Sequence, residues 1–217
     1  LGYIDLLKQD TVSETEKKDF LDRIETEIQR IDKIIRRLLN FSRKTDSEHT
    51  PNSVHRIITD TVNIVKEQPA FSGINLDTSL NAPDDTVISD GNRLKQVFVN
   101  LILNAADAVL SMEERDGRIS VETSQTADKF QSFLEIRISD NGPGISEEHV
   151  GNIFDPFYTT KEPGFGTGLG LWVSYMIVDD MNGSIQAESD TGQGAAFVIS
   201  LPLEKRTGTK EGEKESI

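Results

Sequence analysis

The 217-residue sequence has no cysteine. That absence excludes a disulfide framework and thiolate metal sites, and it fits a reducing compartment, so we expect a cytoplasmic location. The sequence also lacks any apolar run near the roughly 18 to 20 residues that span a membrane, and it lacks the pattern of a signal peptide. We therefore expect no membrane contact by this chain. Because it starts at Leu1 in mid-pattern, we expect a fragment whose parent could be membrane-anchored.

Positive charge is also scarce, since 23 Lys and Arg stand against 37 Asp and Glu, for a net charge of -14. This balance argues against binding to nucleic acids or anionic membranes, which need clustered basic side chains. A nucleotide ligand would need a metal ion to help neutralise its phosphates. An apolar share of 35% over this length suffices for two modest units with real cores.

The first unit, residues 1–43, is predicted to be a helical hairpin with a truncated first arm. Ser13 and Glu16 have the spacing of a capping box. An apolar stripe follows, whose residues recur in steps of three and four: Leu21, Ile24, Ile28, Ile31, Ile35 and Leu38. The opposite face of this helix is charged. Dimerisation into a four-helix bundle would bury this stripe. The alternative is an amphipathic helix packed on the following domain.

The second unit, residues 51–203, follows a polar linker at residues 44–50 and precedes a tail, residues 204–217, that we expect to be disordered. Its pattern predicts helices from about Pro51 to Lys66, Asn92 to Leu110 and Leu169 to Met181. Alternating segments between and after them predict strands: INLDTSL, TVISD, GRISVETSQ, FLEIRISD, SIQAESD and AAFVISLPL. We therefore predict an α+β chain in which the helical hairpin is followed by a two-layer α/β sandwich. The sandwich has a mixed sheet with helices on one face.

Two asparagines mark the first candidate site. In NLILNAADA, Asn100, Asn104 and Ala108 are four residues apart and share one face of a helix. Asparagine is unusual on an apolar helix face unless its amide has a partner, and its carbonyl oxygen suits magnesium. A buried asparagine bonded to nearby backbone is the alternative for this motif alone.

A second motif, SDNGPGIS, places Asp140 at the end of a strand, before a turn with Gly142 and Gly144. Glycines let the backbone approach a flat ligand, and a carboxylate can accept a hydrogen bond from an exocyclic amine of a base. The pair of features points to adenine, although strand-ending turns of this composition are also common without function.

The third motif, GFGTGLGL, carries Gly164, Gly166, Gly168 and Gly170 immediately before a helix. Backbone amides of such a turn, with the helix N-terminus, can bind phosphate oxygens. The motif has neither the ending of a P-loop nor the preceding strand of a dinucleotide fingerprint, and a mobile glycine linker is the alternative. Between the second and third motifs, FDPFYTTKEPG offers Phe154 and Phe157 as the base of a lid and Lys161 as a phosphate ligand.

In this order, NLILNAADA, DNGPGI, FDPFYTTK and GTGLGL closely resemble the nucleotide-binding boxes of sensor histidine kinases, relatives of the gyrase, Hsp90 and MutL ATPases. The resemblance covers about residues 51–203, and RLLNFSR with LGYIDLLK resembles the kinases' dimerisation and phosphotransfer helices. It implies an ATP-binding domain with Mg²⁺, in which Asn104 and its neighbour Asn100, on the same helix, bind the metal. Asp140 then reads adenine, and the remaining cofactor-binding positions are Asp107, Gly142, Gly144, Ile145, Phe157, Lys161, Gly166, Thr167, Gly168, Leu169 and Gly170.

Three departures from the family pattern concern the reaction. Asn100 stands where hydrolysing relatives place a glutamate base, so the resemblance implies slow hydrolysis and favours a kinase. Asp107 stands where many histidine kinases have lysine, and we expect Lys161 to supply that positive charge and to act with Asn100 and Asn104 in catalysis. Ala195 replaces a threonine whose hydroxyl would help to hold adenine.

The phosphoacceptor histidine is the largest departure, because His49, His55 and His149 do not lie in the required position. We interpret them as solvent or packing residues and expect the acceptor upstream of Leu1. The resemblance thus implies transfer of the γ-phosphoryl of ATP to a histidine absent from this sequence, for relay to an aspartate of a response-regulator receiver domain, by a homodimer joined through its helices. The alternatives are an ATP-hydrolysing clamp of the gyrase and Hsp90 type and a non-enzymatic dimerisation module.

Overall fold

The computed structural model describes residues 13, 15–25, 49–112, 116–161 and 166–203. The chain divides into two compact units, Leu1–Asp46 and Ser47–Ile217. No helix in the described ranges is both long enough and apolar enough to cross a membrane. The predicted tail, residues 204–217, lies outside the described residues.

In the first unit, residues 15–25 are helical and begin at the predicted capping box. The Ser13 amide donates to Glu16 Oε2 at 2.9 Å, and the Glu16 amide donates to Ser13 Oγ at 3.3 Å. The hydrogen bonds that Glu16 Oε2 accepts from the Ser13 hydroxyl and the Ser13 amide lower the pKa of the Glu16 carboxyl, because they favour its charged form. The capping box is therefore confirmed, while the predicted first arm and most of the apolar stripe lie outside the described residues.

The second unit alternates strands and helices, and we number its elements from its start. They are β1 (Thr50–Ser53), α1 (Val54–Lys66), a 3₁₀ turn (Pro69–Phe71), β2 (Ile74–Leu80), β3 (Thr86–Ser89), α2 (Gly91–Leu110), β4 (Gly117–Ala127), β5 (Ser132–Asp140), α3 (Glu147–Val150), α4 (Gly170–Asp180), β6 (Ser184–Ser189) and β7 (Ala195–Pro202). Each predicted strand is present, and the predicted helices are correct to within a few residues except at the start of α1.

The five-stranded sheet has the order β2-β4-β5-β7-β6, with β2 and β4 parallel and the other pairs antiparallel. Alternate residues of its central strands are buried, including Ile119, Val121, Leu134, Ile136, Ile138 and Ile199. Helices α1, α2 and α4 pack on this buried face, and the opposite face carries polar side chains such as the ion pair of Arg137 with Glu188. The predicted two-layer mixed α/β fold is therefore confirmed.

Helix α1 begins at Val54, not at about Pro51 as the sequence predicted. Thr50–Ser53 instead form β1, which pairs antiparallel with β3, and the Ser53 hydroxyl caps the helix by accepting from the Arg56 amide. A serine before an amphipathic helix is a common N-cap, so the start of the helix was readable from local chemistry. The strand was not, because TPNS has no alternating pattern and its partner is distant in sequence.

Helix α2 positions the candidate site, because one face is fixed in the core. Asp90 caps it by accepting from the amides of Asn92 and Arg93. Fully or nearly fully buried side chains then recur along one side at Leu94, Val97, Phe98, Leu101, Ile102, Ala105 and Val109. A helix anchored so firmly on one face presents its remaining residues at fixed positions.

Candidate functional site

The outer face of α2 brings together Asn100, Asn104, Asp107 and Ala108, whose spacing of three and four residues aligns them along the helix. Asn104 is partly buried, and within the described parts of the chain its side chain has no hydrogen-bond partner. An amide oxygen and nitrogen at that position are free to bind a ligand. This is the behaviour expected of the predicted metal ligand.

Asn100 is engaged differently. Its Nδ2 donates to the carbonyl oxygen of Gly170 at 3.3 Å and to Ser174 Oγ at 3.4 Å, so it ties α2 to the first turn of α4. Ser174 is fully buried, and its hydroxyl donates to the same Gly170 carbonyl at 3.0 Å. Sequence reasoning missed Ser174, although a serine four residues after Gly170 in an apolar helix is a signal for such a bond. The prediction that Asn100 binds a metal stays a prediction.

Asp140 lies at the end of β5 and points toward the turn that follows. Its Oδ1 accepts a hydrogen bond from the Gly142 amide at 2.8 Å. Burial raises the pKa of the Asp140 carboxyl, against the opposing effect of backbone hydrogen bonds from Gly142 and Ala195. A desolvated carboxylate interacts strongly with a donor that reaches it, as an exocyclic amine would.

Gly142 is held against α2. A Cβ on this residue would lie 2.8 Å from Asp140 Oδ1 and 2.9 Å from the Ala108 Cβ, so any side chain would displace one of them. Ala108, the third residue of the predicted helical face, thus supports the turn from below. The absent side chain lets the turn pack closely on α2 beside the Asp140 carboxylate, where Gly142 itself is buried.

A second glycine-rich turn, before β7, packs on the first. Gly144 has a φ of 75° and Gly194 a φ of 83°, and in both a Cβ would overlap a backbone oxygen of the facing turn. Between them, Ser189 Oγ accepts from the Ile145 amide at 2.8 Å and donates to the Gly194 carbonyl at 2.7 Å. Sequence reasoning missed Ser189, which carries no local signal because its partners come from two other segments.

The glycine-rich segment before α4 is attached to the preceding loop. The Phe157 amide donates to the Gly168 carbonyl at 2.9 Å, and both residues have positive φ angles, 68° and 63°. A Cβ on Gly168 would overlap the Phe157 backbone, so the close approach requires glycine. Thr167 Oγ1 accepts from the amide of the buried Leu169 at 3.4 Å, just before Gly170 begins the helix.

Phe154 and Phe157 have different environments. Phe154 packs on the core, 6.0 Å from the Tyr175 ring and 6.4 Å from the Phe197 ring between centroids. Phe157 is 58% exposed beside the glycine segment. Only Phe154 therefore forms the packed base of this loop, and Phe157 is presented outward.

Lys161 reaches α2. Its Nζ lies 2.5 Å from Asp107 Oδ2, and the two side chains are 39% and 54% exposed. Gly166 lies against the lysine, because a Cβ there would be 3.4 Å from both Lys161 Cβ and Cδ. The structure thus pairs the two charged residues that the sequence predicted near the phosphates, and it places the stem of Lys161 beside Gly166.

Two of the three histidines are partly buried and hydrogen-bonded. His55 Nε2 lies 2.8 Å from Thr123 Oγ1, and its backbone amide donates to Asp85 Oδ2 at 2.9 Å. His149 Nδ1 lies 2.6 Å from the Tyr158 hydroxyl. Their interpretation as packing residues fits these contacts.

These residues suit a magnesium nucleotide. The described residues contain no group of three or more His, Asp or Glu side chains that could hold a metal ion by themselves. A metal here would need ligand phosphates and water besides the Asn104 amide, which is the coordination magnesium prefers. In such a ligand the unpartnered Asn104 amide would meet the metal, the glycine turn beside Asp140 would meet the base, and Lys161 would meet the phosphates.

Comparison with known proteins agrees with this geometry. Residues 89–205 match the family described as histidine kinase-, DNA gyrase B-, and HSP90-like ATPase, and residues 1–47 match the His Kinase A (phospho-acceptor) domain. Signal transduction histidine-protein kinase AtoS of Escherichia coli (strain K12) is 34% identical over 93% of this chain and 32% of its own length. The chain spans between 20% and 44% of the length of the first curated relatives.

Solved structures share the fold. The catalytic domain of histidine kinase ThkA is 29% identical, with a TM-score of 0.59 over 70% of this chain and 94% of that one. ThkA in complex with response regulator protein TrrA aligns over 94% of this chain and 56% of that one, with a TM-score of 0.63 and 24% identity. The chain therefore belongs to the histidine kinase-, DNA gyrase B- and HSP90-like ATPase family, and it joins that ATPase domain to a phospho-acceptor domain as sensor histidine kinases do.

Proposed function

We propose that this chain is the catalytic core of a protein-histidine kinase, which binds ATP with Mg²⁺ and transfers the γ-phosphoryl group to a histidine. The observation that carries the proposal is the arrangement along α2. The partly buried carboxylate of Asp140 accepts from Gly142, Gly142 lies against Ala108, and one turn from Ala108 along the helix Asn104 has an unpartnered amide. This arrangement supports base recognition at the turn that packs on Ala108 and metal binding one helical turn away, at Asn104.

At the base end, Asp140 accepts a hydrogen bond from the exocyclic amine of adenine. Gly142 and Gly144 form the tightly packed turn beneath the ring, and Ile145, which is partly buried against the core, contacts its face. The exposed ring of Phe157 offers further apolar surface at the edge of the lid. Adenine is favoured over guanine, because a carboxylate accepts from an amine and repels a carbonyl oxygen.

At the phosphate end, Asn104 binds the metal, and Asn100 holds the start of α4 in place through Gly170. The amides of Gly166, Thr167, Gly168 and Leu169 bind phosphate oxygens together with Lys161. The metal ion, when bound, neutralises charge on the phosphates. The chain's own contribution is positioning and charge stabilisation, which dominate phosphoryl transfer.

Neither His55 nor His149 is the acceptor histidine in this proposal. His55 and His149 are each engaged in a hydrogen bond within the ATP-binding unit, to Thr123 and to Tyr158. We propose that the acceptor lies outside this sequence, and that an aspartate of a response-regulator receiver domain then takes the phosphoryl group. The sequence matched to the phospho-acceptor domain supports a homodimer, and Leu21 of its apolar stripe is 56% exposed. ATP use and the absence of cysteine favour a cytoplasmic location.

Hydrolysis should be slow compared with transfer. Asn100, the position of the base in hydrolysing relatives, is an amide that already donates two hydrogen bonds and cannot deprotonate water.

The proposal is tested by supplying the acceptor. The chain is incubated with radiolabelled ATP and with a longer product of the same gene that extends upstream of Leu1 and carries Asn104→Ala. We expect acid-labile, alkali-stable phosphate on a histidine of the longer protein. The transfer should be lost when the shorter chain also carries Asn104→Ala and retained with Asn81→Ala, an exposed asparagine before β3. Normal ATP binding without any such phosphate would refute kinase activity.

A further inference from the structure

The ion pair between Asp107 and Lys161 connects the two parts of the phosphate end. Asp107 lies three residues beyond Asn104, so its carboxylate stands on the same face of α2 as the unpartnered amide. Lys161 lies in the loop before the glycine segment and donates to that carboxylate at 2.5 Å. An anion is therefore fixed beside the proposed metal ligand, and a cation covers it.

One ammonium cannot neutralise both Asp107 and a triphosphate. The stem of Lys161 lies on Gly166, so the lysine stands beside the segment whose amides are proposed to bind the phosphates. If Lys161 turns to a phosphate oxygen, the Asp107 carboxylate is left beside several negative charges, in a chain whose net charge is already -14. A divalent cation at Asn104 removes this conflict, because magnesium takes carboxylate oxygens, directly or through its waters, together with phosphate oxygens.

We propose that Asp107 makes nucleotide binding dependent on a divalent cation, and that Lys161 exchanges Asp107 for a phosphate oxygen when the nucleotide enters. The inference rests on the proposed ATP site and extends it to a residue that selects the metal-bound form of ATP over free ATP. Each charge then has an opposite partner in both states: Lys161 covers Asp107 before binding, and the cation covers it afterwards.

A purely structural ion pair leads to a different result. Two side chains that are 39% and 54% exposed contribute little to stability as a pair. If the pair only fastened the loop to α2, replacing Asp107 would change ATP affinity equally with and without the metal.

The measurement is the ratio of the ATP dissociation constants in EDTA and in excess Mg²⁺, at fixed ionic strength, by calorimetry on the whole 217-residue chain. The variants are Asp107→Asn and Asp107→Lys. Glu122→Gln and Glu122→Lys, on an exposed position of β4, make the same charge changes away from the site. We expect the ratio to fall about fivefold in Asp107→Asn, the effect of one partly exposed charge interaction, and further in Asp107→Lys, whose fixed cation replaces the metal. The Glu122 variants should keep the ratio of the original chain.

Lys161→Met tests the other half of the exchange, with Lys129→Met, an exposed lysine beyond β4, as its control. We expect Lys161→Met to weaken ATP binding in both conditions and to raise the ratio, because the metal alone then opposes Asp107. An unchanged ratio in Asp107→Asn would overturn the inference and leave the ATP site standing. Absence of ATP binding by the original chain in Mg²⁺ would overturn both.

Discussion

Replacing Asp140 by asparagine should separate ATP binding from folding. Asparagine has almost the same shape, and its oxygen can still accept from the Gly142 amide. Its amide NH₂ group, however, is a donor where the carboxylate would accept a hydrogen bond from adenine, so two donors would face each other. A hydrogen bond to a charged group contributes about 1.5–3 kcal/mol, so we expect the ATP dissociation constant to rise about 10- to 150-fold.

The stability of the fold should rise or stay unchanged in Asp140→Asn. Burial raises the pKa of Asp140, which means that the folded chain holds the charged form less well than the unfolded chain does. The stability from this group is fully present below the unfolded pKa and is lost as the pH rises through the higher folded pKa. At neutral pH the uncharged asparagine avoids that loss, so the thermal midpoint of Asp140→Asn should equal or exceed that of the original chain.

Calorimetric titration with ATP and Mg²⁺ and thermal unfolding at pH 7 check the two halves of this prediction. Glu122→Gln, the same chemical change on an exposed strand position, serves as control and should alter neither quantity. In the original chain ATP affinity should also fall as the pH drops through the raised pKa of Asp140, and Asp140→Asn should lack that component. An affinity within about threefold of the original chain, or a loss of folding together with binding, would refute the reasoning.

Two further predictions concern the scaffold. Gly194→Ala should destabilise the fold by several kcal/mol, because its Cβ would overlap the last carbonyl of β5, whereas Gly192→Ala, at the same φ of 83° but with open space around it, should cost only about 1 kcal/mol of backbone strain. Chemical denaturation of the two variants measures the difference, and equal losses would contradict it. Although burial opposes the effect, hydrogen bonds from the Ser53 hydroxyl and the His55 amide, with the nearby His55 ring, keep the pKa of Asp85 below its usual value. Asp85 therefore stabilises the fold above its unfolded pKa and loses this effect as the pH falls through the folded pKa. Asp85→Asn should be less stable than the original chain at pH 7 and comparable to it in strong acid. Denaturation at a series of pH values measures this difference.

The sequence predicted those parts of the fold and site that depend on local patterns. The helical face of Asn100, Asn104 and Ala108 follows from spacing, and Asp140 follows from a strand that runs into a glycine turn. The caps at Asp90 and Ser13 were equally local, since both involve partners within three residues.

Features that depend on contacts between distant segments could not be derived in this way. Asn100 binds the Gly170 carbonyl 70 residues away, and Lys161 reaches Asp107 across 54 residues. Sequence reasoning named all four of these residues, and its assignments of Asn100 to the metal and of Lys161 to the missing positive charge stay predictions. Only the fold shows that the amide holds α4 and that the lysine has an anionic partner.

The positions along α2 explain how one helix organises the whole site. Ala108 supports the turn beside Asp140, Asn104 carries the unpartnered amide that we propose as the metal ligand, Asp107 pairs with Lys161, and Asn100 holds the start of α4. Eight residues of helix, about 12 Å at 1.5 Å each, separate the first of these positions from the last. Because the opposite side of α2 is buried in the core, this spacing cannot change without disrupting the fold. We therefore expect movement on nucleotide binding in the segments that meet α2, which contact the helix through the partly exposed ion pair of Lys161 with Asp107 and the hydrogen bond from the Asn100 side chain to the Gly170 carbonyl.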